Sequence, residues 1–259
     1  MRHMRFAAGT KARRQVSAVA SVLAATAAFI FASSDAHAVM RGSSAGGISR
    51  HVVKLVGHNL LCTAVVIGRQ QLLTANHCVE GAGPFFVMAG GKRIAVAGHS
   101  PAGQTTQLTL ASPLPAQFIP IATGSAGGDG TYTIAGYGTA QESARMHSAG
   151  LKQAQLINDS RYNALVDPRR RGPISASACM GDSGGPVAKY DGKRYVLVGI
   201  VERVSNYAGI GACGFLTHFS SVSGMTNVAS APEGTTRQVS EPRTQRITAK
   251  KRHRQWAAR

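Results

Sequence analysis

Two segments of the chain carry residue types that together perform nucleophilic catalysis. In Leu72–Val79 (LLTANHCV) an apolar run leads into a turn that presents a histidine, and in Cys179–Pro186 (CMGDSGGP) glycines flank a serine. A serine held in a sharp turn attacks a carbonyl carbon while neighbouring main-chain N–H groups bind the oxyanion, and a histidine acts as its base. The two segments together therefore predict acyl transfer by Ser183 with His77.

The elements that must position these residues are short β strands. Gly, Pro, Ser or Asp separates most of the candidate strands. The candidates are His51–Val56, Leu61–Ile67, Phe85–Ala89, Arg93–Ala97, Thr106–Leu110, Thr131–Ala135, Leu151–Ile157, Pro186–Tyr190 and Tyr195–Val201. Strands at this spacing predict an all-β sandwich or barrel. A segment of linker composition at Ala122–Gly130 divides them into two similar halves.

Composition narrows the class of protein further. Of the 259 residues, 44% are hydrophobic and only 15% are charged, with 30 glycines, which excludes a disordered chain, a coiled coil and a Lys/Glu-rich bundle. The net charge is +18, but residues 1–38 hold five basic residues and one acid, and residues 226–259 hold eight basic residues and two acids. More than half of the positive excess therefore lies in the ends.

The two ends are predicted to lie outside the folded domain, which we assign to residues 39–225. Residues 1–38 have the parts of a secretory signal: a basic start, the apolar run Val16–Phe31 and the cleavage pattern Ala36-His37-Ala38. Export by the general or the twin-arginine route leads to a secreted or periplasmic protein, and nothing after residue 38 is apolar for long enough to span a membrane. The basic end, 226–259, is predicted to be a disordered tail with weak affinity for anionic surfaces and no specific nucleic-acid site.

Four cysteines, Cys62, Cys78, Cys179 and Cys213, lie in the predicted exported part. Outside the cytoplasm two disulfides are expected, and three pairings are open. Zinc is the competing use, but the cysteines and histidines lack the close spacing of a metal site, so we expect no metal.

The segment Gly181–Gly185 also fits the nucleophile elbow of α/β-hydrolases, and Asp191 and His218 follow in the triad order of that fold. That fold requires alternating helices and a parallel sheet, which the sequence does not predict. It also leaves His77 and the cysteines unexplained.

Over nearly all of residues 39–224 the sequence resembles the chymotrypsin family of serine proteases. Gly181–Pro186 matches the family's Gly-Asp-Ser-Gly-Gly-Pro without exception, and Thr74–Cys78 resembles its histidine segment. The resemblance implies two antiparallel six-stranded β-barrels with the active site in the cleft between them. It implies that His77 is the general base, that Ser183 is the nucleophile, and that the N–H groups of Gly181 and Ser183 form the oxyanion hole.

Further site residues follow from the same resemblance. Disulfides would join Cys62 to Cys78 and Cys179 to Cys213. Cleavage after Ala38 would free Val39 to pair with Asp182, which sets the oxyanion turn. The specificity pocket would have Ser177 at its base, Gly214 at its back and Val204 at its entrance, which favours small or medium apolar side chains over Arg and Lys.

The sequence departs from the family at the third member of the triad. The strand that begins with aspartate in the family begins with Gln104 here, and no Asp or Glu occurs between Glu80 and Asp129. Asn76 replaces an alanine beside His77. Glu202 stands where the family has a serine that contacts the triad aspartate, so we expect it to supply a surrogate carboxylate. One alternative is that Gln104 accepts the same hydrogen bond from His77 through its amide oxygen, without the charge. The others are that Glu202 faces solvent, pairs with a surface base or blocks the substrate strand.

Two functions from different classes are consistent with this sequence. The first is a monomeric secreted serine endopeptidase that acts on peptide or protein substrates without a cofactor, with activity weakened by the absent aspartate. The second is an inactive protease homologue that serves as a binding module, with its basic tail on anionic surfaces.

Overall fold

The computed structural model describes residues 39–81, 83–125, 129–139, 150–169, 175–205, 213 and 215–224. The predicted signal (1–38), the predicted tail (226–259) and Gly214 lie outside the described residues. No helix in the described ranges is long and apolar enough to cross a membrane.

The first half of the fold is a closed antiparallel barrel of six strands. Its strands are β2 (Val52–Gly57), β3 (Leu60–Val66), β4 (Gln71–Ala75), β5 (Phe86–Ala89), β6 (Lys92–Ala102) and β7 (Thr105–Leu110). They close in the order β2-β3-β4-β7-β6-β5. A two-residue turn joins β2 to β3, and Asn59 in this turn has a φ of 55°, a conformation that asparagine tolerates better than most residues.

The second half is also a six-stranded antiparallel barrel. Its strands are β9 (Thr131–Gly136), β10 (Lys152–Asp159), β11 (Ala164–Val166), β12 (Pro186–Tyr190), β13 (Tyr195–Ser205) and β14 (Leu216–Ser221). The order is β10-β11-β14-β13-β12-β9, and the pairing of β9 with β10 closes the barrel. Two short strands join its outside: β1 (Ser43–Ser44) pairs with β10, and β8 (Ala122–Thr123) pairs with β13.

The two barrels share one packed seam. Leu197 and Ile200 of β13 and Ala188 of β12 belong to the same buried apolar cluster as the interior of the first barrel. Strand β3 is buried on both faces over Leu61–Val66, because one face lines its own barrel and the other is covered. The seam holds the loops at its edge in fixed positions, and the candidate site lies there.

The prediction of two six-stranded barrels is confirmed. The predicted break at Ala122–Gly130 falls between the barrels, although it contains the short strand β8. Strand β4 corresponds to the apolar run before His77, whereas strands β1, β8, β11 and β14 match no candidate strand. Three of them have two or three residues, and β14 (LTHFSS) is too polar to stand out by composition.

Candidate active site

His77 is presented by a short 3-10 helix, Asn76–Val79, that follows directly on β4. The next residue, Cys78, forms a disulfide with Cys62 of β3, with 6.1 Å between their Cα atoms, so the turn is anchored to the barrel. The side chain of His77 remains 43% exposed. The side-chain oxygen of Asn76 accepts a hydrogen bond of 2.8 Å from the hydroxyl of Thr106. The ring of His77 is therefore open to the cleft on a fixed support.

Ser183 lies in a turn that two glycines make possible. Gly181 and Gly184 have φ values of +93° and +82°, where a side chain is strained, and a Cβ on Gly184 would collide with the carbonyl of Thr63. The carbonyl of Ser183 accepts a hydrogen bond from the N–H of Thr63 at 2.9 Å, and the N–H of Gly184 donates to Val201 at 2.8 Å. These bonds tie the turn to both barrels.

Two main-chain donors of this turn have no acceptor among the described residues. The hydroxyl of Thr63 donates to the carbonyl oxygen of Gly181 at 2.8 Å and orients that end of the turn. Within the described ranges, the N–H groups of Gly181 and Ser183 donate to no acceptor. Both N–H groups are therefore available to bind an oxyanion, the role that the sequence predicts for them.

The side chain of Glu202, on β13, lies beside the Nδ1 atom of His77. The pairing of β13 with β14 shifts register between Val201 and Arg203, so Glu202 is the extra residue of a β-bulge, which re-aims its side chain. Its Oε2 lies 3.9 Å from Nδ1 of His77, and its Oε1 is buried without a hydrogen-bond partner among the described residues. The Glu202 side chain is therefore directed at the histidine rather than at solvent or Arg203.

Burial raises the pKa of the Glu202 carboxyl above its usual range, and a hydrogen bond from the hydroxyl of Ser220 opposes that rise. A carboxyl whose folded pKa is raised stabilises the fold below its unfolded pKa, and this contribution is lost as the pH rises through the folded pKa. Sequence reasoning gave no role to Ser220. Polar strand residues of this kind are common, and only the barrel geometry brings it beside Glu202.

The raised pKa leads to a prediction about stability. Replacing Glu202 by glutamine should raise the melting temperature at pH 8 and leave it nearly unchanged at pH 4, because glutamine carries no charge to bury while its amide oxygen still accepts from Ser220. Thermal unfolding of both proteins at the two pH values measures this, with the exposed Glu80→Gln as control. A variant that loses stability on going from pH 4 to pH 8 relative to the parent would contradict it.

The hydroxyl of Ser183 donates to the main-chain carbonyl of Glu202 at 3.3 Å. Within the described residues no hydrogen bond joins it to the ring of His77. The structure thus brings His77, Ser183 and Glu202 to one place at the seam, with the serine hydroxyl turned toward the backbone of β13.

Asp182 is buried beside the predicted start of the exported chain. Its carboxylate accepts hydrogen bonds of 2.8 Å from the N–H groups of Gly138 and Cys179, and another from the N–H of Val39, which is itself fully buried. Burial raises the pKa of Asp182 to about 7, and these three N–H donors act in the opposite direction. A positive charge at Val39 would compensate the buried carboxylate.

Two predicted pocket residues and the alternative acceptor Gln104 differ in burial. Ser177 is fully buried, and its main chain forms an isolated β-bridge with Met40. Val204 is half-buried on β13, two residues after Glu202. Gln104 is exposed in the turn before β7 and makes no hydrogen bond to His77 within the described part of the chain. Met180, next to Gly181, is 45% exposed, and no sequence motif points to it.

A second disulfide joins Cys179, just before the serine turn, to Cys213. The pairings are those that the family resemblance implies. Ligand atoms of Cys62, His77 and Cys78 lie within 4.8 Å of one another, a spacing found in metal sites. Both sulfurs are bonded to each other, however, so they provide no thiolate for a metal.

Comparisons with known proteins agree with this geometry. A trypsin-like protease of Streptomyces glaucescens is 30% identical over 189 residues, which cover 61% of this chain and 70% of that protein. Mouse neuropsin, a serine protease expressed in the limbic system of the brain, has a similar fold, with a TM-score of 0.53 and 18% identity over 71% of this chain and 95% of neuropsin. The trypsin family model matches residues 39–225. The chain belongs to the trypsin family of serine proteases.

Proposed function

We propose that the protein is an exported serine endopeptidase that uses Ser183 as nucleophile, His77 as general base and Glu202 as the carboxylate of the triad. The observation that carries the proposal is the convergence of these three side chains at the seam, with 3.9 Å between Nδ1 of His77 and Oε2 of Glu202. Export is supported by the predicted signal and by two disulfides in a chain without a free cysteine among the described residues.

In the proposed reaction the Ser183 hydroxyl rotates from the Glu202 carbonyl toward the ring of His77. Its oxygen attacks the peptide carbonyl carbon as its proton passes to Nε2, and the N–H groups of Gly181 and Ser183 bind the oxyanion. The imidazolium then gives the proton to the leaving amine, which leaves an acyl-enzyme. Water deacylates it by the same route with His77 again as base.

The proposed role of Glu202 is to hold the ring of His77 and its proton. A carboxylate that accepts the Nδ1–H leaves Nε2 free as a base and stabilises the imidazolium. A separation of 3.9 Å is longer than a hydrogen bond, and catalytic hydrogen bonds often tighten only when substrate is bound. The unpartnered Oε1 supports this role, because a buried carboxylate oxygen without a donor gains from the approach of one.

We further propose that removal of the signal activates the enzyme. Cleavage after Ala38 turns the Val39 N–H beside Asp182 into an α-ammonium, which pairs with the buried carboxylate and fixes the oxyanion turn. Backbone strain supports the same step. Val39 has a φ of 53°, a conformation that costs a β-branched residue about 1–3 kcal/mol. Cleavage removes the carbonyl group of the preceding residue, which defines this torsion, and so releases the strain.

An inactive binding module is the second candidate, and one observation favours it. The Ser183 hydroxyl donates to the Glu202 main chain rather than to His77, so the arrangement requires a side-chain rotation before it can react. This candidate predicts a protein that binds peptides without cleaving them.

The proposed specificity gives a further prediction. Ser177 would form the bottom of the primary specificity pocket and carries no charge to pair with Arg or Lys. We therefore expect cleavage after small or medium apolar residues and little after Arg or Lys. Val204→Gly should extend the profile to bulky aromatic residues, since it removes a side chain from the proposed entrance. Profiling the enzyme and this variant on a peptide library measures both effects. Cleavage dominated by Arg or Lys would contradict the assignment of Ser177.

The experiment that tests the proposed function is hydrolysis of apolar peptide esters and amides by the exported, oxidised protein. We expect turnover that Ser183→Ala reduces to background and that Ser221→Ala, an exposed serine on β14, leaves unchanged. Peptide binding without turnover, equal for the parent and Ser183→Ala, would favour the binding module instead.

A further inference from the structure

A groove of about 500 Å³ lies at the seam, away from the candidate active site. Its walls come from three separate parts of the chain: the 3-10 helix Gly47–His51, the segment 119–122 between the barrels, and the hairpin of β12 and β13. Tyr195, at the start of β13, is seven residues from Glu202. At the rise of a β strand these seven residues extend about 20 Å along β13, and none of the proposed catalytic residues lines the groove.

The groove carries positive charge that the described residues do not neutralise. Arg50, Lys193 and Arg194 line it, and no carboxylate from the described part of the chain does. Asp191, next to the groove, accepts the N–H groups of Lys193 and Arg194 at 2.9 Å each and pairs with the Arg194 side chain at 3.6 Å. Within the described ranges Arg50 and Lys193 have no ion pair, so the groove holds two uncompensated cations.

The same groove offers aromatic surface beside those cations. Tyr190 and Tyr195 have ring centroids 5.2 Å apart with a tilt of 56°, and Tyr190 is 57% exposed, one of two large exposed hydrophobic side chains among the described residues. His51, which also lines the groove, is buried and donates from its ring to the carbonyl of Ile119 at 2.8 Å, which holds these two segments together. Arg50 is adjacent to it.

From this combination we propose that the groove binds a ring compound that carries a phosphate or sulfate group. A guanidinium and an ammonium without partners bind a tetrahedral dianion through charge-assisted hydrogen bonds. The exposed tyrosine face packs against the ring that carries the anion. A volume of about 500 Å³ suits one or two rings. The carrier ring is either a sugar or an aromatic group.

Titration calorimetry at low salt tests this site independently of catalysis. The probes are glucose 1-phosphate and 4-nitrophenyl phosphate. Their ring halves are methyl glucoside and 4-nitrophenol, and inorganic phosphate is the anionic half of both. We expect each ring phosphate to bind at least about tenfold more tightly than either half, because both contacts contribute. The tighter of the two probes identifies the ring.

Variants of the full chain separate the groove from general positive charge. Arg50→Gln/Lys193→Gln should weaken the ring phosphates by about tenfold or more, whereas Lys92→Gln/Arg93→Gln, which removes two charges from β6, should change binding by less than about twofold. Tyr190→Ala should weaken the ring phosphates and leave inorganic phosphate unchanged. Equal weakening by both double variants, or binding no tighter than inorganic phosphate, would overturn the proposal. Failure of catalysis would leave this test unaffected.

Discussion

Replacing Glu202 by glutamine is expected to lower kcat by about 10² to 10⁴, by analogy with loss of the ordinary triad aspartate. Glutamine keeps the shape and the contact with Ser220, but it carries no negative charge to stabilise the imidazolium of His77. Glu202→Ser, which restores the residue of the family, should lose a comparable factor because Gln104 is exposed in a turn and provides no carboxylate. Steady-state kinetics on a peptide ester and a peptide amide measure both variants.

The matched control is Glu80→Gln, an exposed glutamate shortly after the histidine turn, which should leave kcat within about twofold. Unchanged turnover in both Glu202 variants would eliminate Glu202 as the surrogate carboxylate. Increased turnover would instead identify the Glu202 side chain as an obstruction in the cleft.

Insertion of one serine between Ala38 and Val39 is expected to lower activity by about 10³, the cost of losing a well-placed oxyanion donor. Signal removal would then leave the α-ammonium one residue away from Asp182, so the buried carboxylate would lack its counter-charge. Asp182→Asn should lose a comparable factor, because it removes the acceptor of the ammonium. The exposed Asp191 gives the control variant, Asp191→Asn, which should retain activity.

The pH dependence of stability provides a second readout for the inserted variant. With a pKa of about 7 in the uncleaved chain, Asp182 stabilises the fold below its unfolded pKa and loses that contribution as the pH rises through about 7. The melting temperature of the inserted variant should therefore fall between pH 5 and pH 8 by more than that of the parent. Terminal sequencing that finds a start far from Val39, or full activity of the insertion variant, would contradict the activation mechanism.

The barrels and the core of the site could be predicted because their signals are local. The turn of Ser183 requires glycines at Gly181 and Gly184 for their positive φ values, and that requirement is visible as a short motif. The break between the barrels has linker composition. Strands of two or three residues, such as β1 and β8, carry too few residues for a pattern, and their pairing depends on the barrels that they flank.

The features that the sequence did not predict depend on contacts between distant residues. The position of Glu202 relative to the histidine followed from the family resemblance, but the β-bulge that directs it and the hydrogen bond from Ser220 depend on the register of β13 with β14. The direction of the Ser183 hydroxyl is a choice of rotamer. The aromatic and basic groove combines three segments that are far apart in the chain.

The central claim, that Ser183 is an activated nucleophile, is tested most directly by covalent labelling. The exported, oxidised protein is incubated with a peptidyl phosphonate that carries a small apolar side chain, and the adduct is located by mass spectrometry of the digested protein. The proposed mechanism predicts one phosphonyl group on Ser183, absent in His77→Ala. A protein that remains unlabelled, or one labelled equally in His77→Ala, would contradict it.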